Sequence, residues 1–271
     1  MTRQGNSNLI LGLVTGAIGV IAIACGGFGD GLASPANRAA MLTTPEATIT
    51  LPVGGGVPTF CPPAEHSTLQ DIVTTPASPY FVQHPEVEAT STPTVIFLPG
   101  GVGSKASAVR VWANLLSEGD GAEMFRLVVP YFEDADLVDD TSRVFRIYDE
   151  VLACYGGDAS QIHIAGTSNG GLAAFAIMMA APDRFASLLG APGAFPNNAP
   201  AFVSESLRDK PVFNGVGEND VAFWKPTVKL THAMLEAAGI GSVYVEFADQ
   251  GHRANLAFDE TVFFDFWRGL N

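Results

Sequence analysis

The chain has 271 residues, enough for one or two domains with a full core, and 47% of them are hydrophobic against 15% charged, which excludes a disordered chain. Fourteen Lys and Arg against 28 Asp and Glu give a formal charge of −14. That balance describes an acidic solvated surface and argues against a nucleic acid or an anionic membrane surface as the partner.

The first 24 residues read as a signal segment. One basic side chain, Arg3, precedes an apolar run over 9–24, and small residues lead to Cys25. Cys directly after Ala22-Ile23-Ala24 resembles the bacterial lipoprotein signal, in which the cysteine becomes the lipidated first residue. Ala22 departs from that pattern, where Leu is usual. An uncleaved anchor and a plain cleaved signal are the alternatives; the apolar run is somewhat short of the ~20 residues of a spanning helix. All three place the protein in the cell envelope or outside the cell, with membrane contact only through a lipid or signal anchor at Cys25. Residues 25–45 are rich in Gly, Ala and Pro and read as a flexible tether. A single domain is expected over 46–271. Cys61 and Cys154 are then an even pair in an oxidising compartment, either joined or present as separate thiols.

In chain order, 48–51 and Tyr80–Gln83 are candidate early strands. Thr94–Leu98 is a buried-strand run stopped by Pro99-Gly100-Gly101. Helical spacing follows over 106–116, a strand over 125–129 and an amphipathic helix over 141–155. Residues 162–165 form the next strand, and 171–180 a helix apolar on nearly every side. Strands at Ser187–Gly190, 211–216 and 243–247 alternate with helices over 227–238 and 258–270. Alternation of this kind predicts an α/β fold, a mainly parallel sheet with helices on both faces. The chemistry is then expected in loops at the carboxyl ends of the strands.

Between the strand at 162–165 and the helix at 171–180 lies Gly166-Thr167-Ser168-Asn169-Gly170. A strand, a sharp turn with Ser at its apex and a helix make a nucleophile elbow, in which glycines on both sides let strand and helix pass closely. A serine hydroxyl needs a base within hydrogen-bond reach, and the base needs an orienting acid. His252 is the base of choice, because it follows the last strand. His66 and His84 precede the elbow, His163 is inside its strand, and His232 is in mid-helix. Asp220 in Gly217-Glu218-Asn219-Asp220 is the acid of choice, ahead of Glu218 and Asp249. The oxyanion donors are expected to be the backbone N–H of Asn169 and one from the glycine turn, Gly101 or Val102. No histidine pair has metal-ligand spacing. The run Gly100-Gly101-Val102-Gly103-Ser104-Lys105 departs from a phosphate loop, since Ser104 separates Gly103 from Lys105. No cofactor is implied.

Leu98-Pro99-Gly100-Gly101, Gly166-Thr167-Ser168-Asn169-Gly170-Gly171, Gly217-Glu218-Asn219-Asp220 and Gly251-His252 together resemble the α/β-hydrolase family. Ser-Asn-Gly-Gly followed by Ala181-Pro182-Asp183-Arg184-Phe185 is similar to secreted esterases of the polyhydroxybutyrate depolymerase and feruloyl esterase type. Pro99 stands where that family often has His, which leaves the placement of the second oxyanion donor open. The stretch from 182 to 210 is short, so no large lid domain is expected. The resemblance implies a carboxylic-ester hydrolase working through an acyl-enzyme on a small-molecule or polymeric ester. A serine peptidase of the prolyl oligopeptidase type and a non-catalytic surface binding lipoprotein are the alternatives. Phe195, Phe202, Phe223 and Trp224 lie in loops, where they serve either packing or an acyl pocket.

Overall fold

The computed structural model describes residues 61–270 apart from 67, 76–77, 88, 90, 118, 134–140, 196–206 and 253–258. The expected signal segment, the tether and the strand at 48–51 therefore lie outside the described residues. Eight strands form one sheet in the order β1-β2-β4-β3-β5-β6-β7-β8. They are β1 (Leu69–Ile72), β2 (Tyr80–Gln83), β3 (Thr94–Leu98), β4 (Arg126–Pro130), β5 (Ile162–Gly166), β6 (Ser187–Gly190), β7 (Val212–Gly217) and β8 (Ser242–Phe247). β2 pairs antiparallel with both of its neighbours, β1 and β4, and the remaining pairings are parallel.

The central strands carry apolar side chains in both directions because both faces are covered. Ile96, Leu98, Ile164, Leu188 and Val212 meet one face's helices: α2 (Ser142–Tyr155), α3 (Asn169–Ala180) and α4 (Trp224–Ala237). Val95, Phe97, Ala165, Leu189 and Phe213 meet the other face, where α1 (Lys105–Val111) and α5 (Thr261–Arg268) pack. In α5, Phe263, Phe264 and Trp267 recur at helical spacing and are all wholly buried.

Several bounds differ from those expected. The strand Leu69–Ile72 was not anticipated; Leu69 and Gln70 are half-buried, Asp71 is exposed and only Ile72 is buried, so it carries no strong apolar signal. The helix expected over 106–116 is an α-helix only to Val111 and continues as a π turn over Trp112–Leu116. Helix α4 begins at Trp224 rather than 227, with Pro226 in its first turn, where the missing N–H has no helical partner to lose. Residues 253–258, at the front of the helix expected over 258–270, lie outside the described residues, as do 196–206 of the stretch expected to lack a large lid. The open question of the cysteines is answered: Cys61 and Cys154 are joined, closing a loop of 93 residues between the chain before β1 and the end of α2. Of the phosphate-loop residues, Ser104 caps α1 by accepting from Ser107 N, and Lys105 pairs with Asp71.

Candidate active site

The sheet's register decides which loops meet. Leu98 at the end of β3 lies opposite Gly166 at the end of β5, so the glycine turn and the Ser168 turn leave the sheet side by side. Thr167 N–H donates to the Leu98 carbonyl at 3.1 Å, which ties them. Gly217 at the end of β7 lies opposite Phe247 at the end of β8, so the acid loop and the histidine loop also leave together. Those two loops are zipped by backbone bonds from Glu218 N to the Phe247 carbonyl at 2.9 Å and from Asn219 N to the Gln250 carbonyl at 2.8 Å. A Cβ on Gly217 would stand 2.4 Å from the Gly251 oxygen, so only glycine lets them approach this closely.

Ser168 sits at φ 58°, ψ −123°, in the left-handed half of backbone space. A residue with a Cβ is held there only by its surroundings, at a cost of about 1–3 kcal/mol. The surroundings are visible. Ser168 N–H donates to the Pro192 carbonyl at 2.8 Å, and Ser168 O accepts the first bond of α3 from Leu172 at 3.0 Å. A Cβ on Gly170 would stand 2.1 Å from the Leu98 oxygen, which is why strand and helix need glycine at this crossing. The outcome is a hydroxyl presented at the apex, at the positive end of a 12-residue helix.

Ser168 Oγ lies 2.9 Å from His252 Nε2, and His252 Nδ1 lies 2.9 Å from Asp220 Oδ1. A carboxylate only accepts, so the imidazole keeps its proton on Nδ1 and turns the Nε2 lone pair toward the serine. Asp220 Oδ1 also accepts from Val221 N at 2.6 Å, and its side chain is wholly buried, whereas His252 is 29% exposed. Among the described residues, Asp220 Oδ2 has no partner. The ring of Trp224 stacks on His252, with centroids 5.7 Å apart and planes inclined by 22°. The structure therefore brings Ser168, His252 and Asp220 together in one chain of hydrogen bonds. The two rival acids lie elsewhere: Glu218 Oε2 accepts from Asp249 N at 3.2 Å, which steadies the histidine loop from outside the relay.

The glycine turn lies against Ser168. A Cβ on Gly100 would come within 3.1 Å of Ser168 Cβ, and Gly101 has φ 69°. Asn169 is the first residue of α3, and its buried side chain donates from Nδ2 to the Gly101 carbonyl at 2.9 Å. The two residues expected to supply oxyanion donors are thus bonded to each other.

Of the loop aromatics, Phe195 is buried edge-on against Phe175 and serves packing. Phe223 is half-exposed and lies on Trp224, with centroids 4.8 Å apart, beside the histidine. Phe202 lies outside the described residues. Sequence reasoning missed the Trp224 support of His252, the Pro192 carbonyl and the side-chain role of Asn169; only an aromatic four residues past Asp220 offered a signal. A cavity of about 30 Å³ lies behind His252, lined by Thr167, Pro192, Gly217, Gln250 and Phe263 among others. It holds a water at most. A wider recess of about 450 Å³ lies at the opposite end of the sheet between Gln83, His84, Asp120 and Glu123, and contains none of the relay residues. Among the described residues, no group of three or more His, Cys, Asp or Glu side chains is arranged to hold a metal ion.

No family model and no curated protein matches the chain. Solved structures do. A thermostable esterase is 18% identical at a TM-score of 0.54, the match covering 74% of this chain and 60% of that one. The Bacillus cereus carboxylesterase is 17% identical at 0.53, covering 71% and 94%. A ferulic acid esterase is 17% identical at 0.53, covering 71% and 90%. The chain thus spans 60% of the length of the thermostable esterase and most of the other two. At such identities the likeness shows the fold, and the fold is that of the α/β-hydrolases.

Proposed function

We propose that this chain is a serine hydrolase that cleaves carboxylic esters through an acyl-enzyme. The observation that carries the reading is the relay from Ser168 through His252 to the buried Asp220, with two contacts of 2.9 Å each. The esterase titles of the solved structures that share the fold support the ester as the bond attacked.

In this reading Ser168 Oγ attacks the ester carbonyl while His252 Nε2 takes its proton. The imidazolium that forms is stabilised by Asp220, whose burial keeps water from screening the pair. The carbonyl oxygen becomes an oxyanion, met by the backbone N–H of Asn169 and by the glycine turn at Gly101, with the positive end of α3 adding to the field. His252 then returns the proton to the leaving alcohol. A water repeats the cycle on the acyl-enzyme, His252 taking its proton and Ser168 leaving. Trp224, flat against the imidazole, limits its swing between these two tasks.

The same reading places the protein in the cell envelope or outside the cell, held by a lipid or signal anchor at Cys25. The Cys61–Cys154 disulfide supports this, since such bonds persist in oxidising compartments.

The test is hydrolysis of a p-nitrophenyl ester series by the full chain, purified in detergent, beside Ser168→Ala. Activity that disappears in the variant supports the serine esterase, and the chain-length profile sizes the acyl site. A folded wild-type chain that cleaves no ester and does not react with a fluorophosphonate overturns it. Activity on peptide amides that exceeds activity on matched esters favours the peptidase instead.

A further inference from the structure

Asn169 sits where a single residue can serve both halves of an oxyanion hole. Its side chain is 2% exposed, and its Nδ2 donates to the Gly101 carbonyl at 2.9 Å. The carbonyl it holds belongs to a turn with little stiffness of its own. Gly100 and Gly101 follow each other, Gly101 and Gly103 both have positive φ, and the internal bond from Gly103 N to the Gly100 carbonyl is long at 3.3 Å. Glycine peptides in such a turn rotate readily, because no Cβ opposes the change.

Rotation matters here more than in an ordinary loop. In a trans peptide the carbonyl and the N–H point opposite ways, so the orientation of the Gly101 carbonyl sets that of the Val102 N–H. A flip would turn a carbonyl dipole toward the position where negative charge develops, and repulsion would replace stabilisation. We infer that the Asn169 side chain is a positioning group for the oxyanion hole, clamping the Gly101 carbonyl so that the glycine turn keeps its N–H groups toward the reacting oxygen. Asn169 then contributes twice: its backbone N–H donates directly, and its side chain fixes the loop that supplies the other donor. The clamp also explains why a carboxamide is buried at the start of an otherwise apolar helix, since its donor is spent on the neighbouring loop.

The inference rests on the esterase reading, and the experiment separates the two. The full chain is compared as wild type, Ser168→Ala, Asn169→Ala and Asn169→Leu. Leucine keeps the branched four-heavy-atom outline of Asn and removes the donor, so it carries the test if alanine compromises folding, which thermal melting monitors. Each folded variant is assayed for kcat and KM on the best p-nitrophenyl ester and for inhibition by a trifluoromethyl ketone, which forms a tetrahedral adduct at the serine. The expected result is a kcat lower by about 10- to 100-fold with KM within about threefold, because a displaced donor costs less than a deleted one. The inhibition constant should rise by the factor that kcat/KM falls, a change that a merely structural side chain would not produce. Wild-type kcat and inhibitor affinity in either folded variant overturn the clamp and leave the esterase standing. A wild-type chain without Ser168-dependent hydrolysis overturns both.

Discussion

Asp220→Asn isolates the charge of the acid from its geometry, and the structure says why. Asp220 Oδ1 accepts from both His252 Nδ1 at 2.9 Å and Val221 N at 2.6 Å. In the variant those two donors draw the carboxamide oxygen to the same place, so the imidazole keeps its proton on Nδ1 and the serine keeps its base. The NH2 group then takes the position of Oδ2, which is buried and without a partner among the described residues. What is lost is the attraction between the carboxylate and the imidazolium of the transition state. At a charge separation of ~4 Å and an effective dielectric constant of ~20 that attraction is about 4 kcal/mol. It converts to a kcat lower by roughly a thousandfold, with KM little changed. The assay is steady-state hydrolysis of the best p-nitrophenyl ester, with the pH profile taken on both proteins. Retention of kcat within tenfold would falsify the assignment of Asp220 and return Glu218 as the candidate acid. A loss well beyond a thousandfold would mean that the amide nitrogen faces the histidine and imposes the wrong tautomer.

Two further expectations concern stability. Replacing Cys61 or Cys154 by Ser opens a loop of 93 residues, and chain entropy puts the loss at about 4–5 kcal/mol. Denaturant midpoints of the variant and of the wild type under reductant should fall together; an unchanged midpoint sinks the entropic account. His163 is wholly buried on β5, beside Phe125 and Trp267, and burial pulls its imidazole down to about 4 from an ordinary 6.5. The folded protein therefore binds fewer protons than the unfolded chain between these values. Stability is complete above about pH 6.5 and falls as the pH drops toward 4, by about 3 kcal/mol in all. Urea midpoints measured from pH 7.5 to 4 should show this slope in the wild type and a smaller one in His163→Leu; equal slopes refute it.

The likeness to solved structures and the relay at Ser168 are separate observations. The first rests on the backbone path of the whole sheet, the second on three side chains. The likeness shows the fold, and the relay carries the proposed reaction, because a fold alone hosts many activities.

Some of this was legible from residues alone, for a physical reason. The turn at Ser168 is specified within a few residues: a strand apolar on both faces, glycines where backbones cross, and an apolar helix. Chain order then pointed to Asp220 and His252, because loops after successive strands of a parallel sheet emerge on one edge. The alternation of strands and helices is likewise local, since each element's apolar period reflects the faces it must bury. The short strand at Leu69–Ile72 was not legible, because an edge strand with only Ile72 buried has no such period. Nor were the Cys61–Cys154 bond, the stacking of Trp224 on His252 or the grip of Asn169 on Gly101. Each joins residues whose separation along the chain says nothing of their distance in space. They are decided by strand register, Leu98 against Gly166 and Gly217 against Phe247, and by the packing of helices on the sheet. Sequence determined which chemical groups the protein carries and at which edge of its sheet; tertiary structure decided which of them touch.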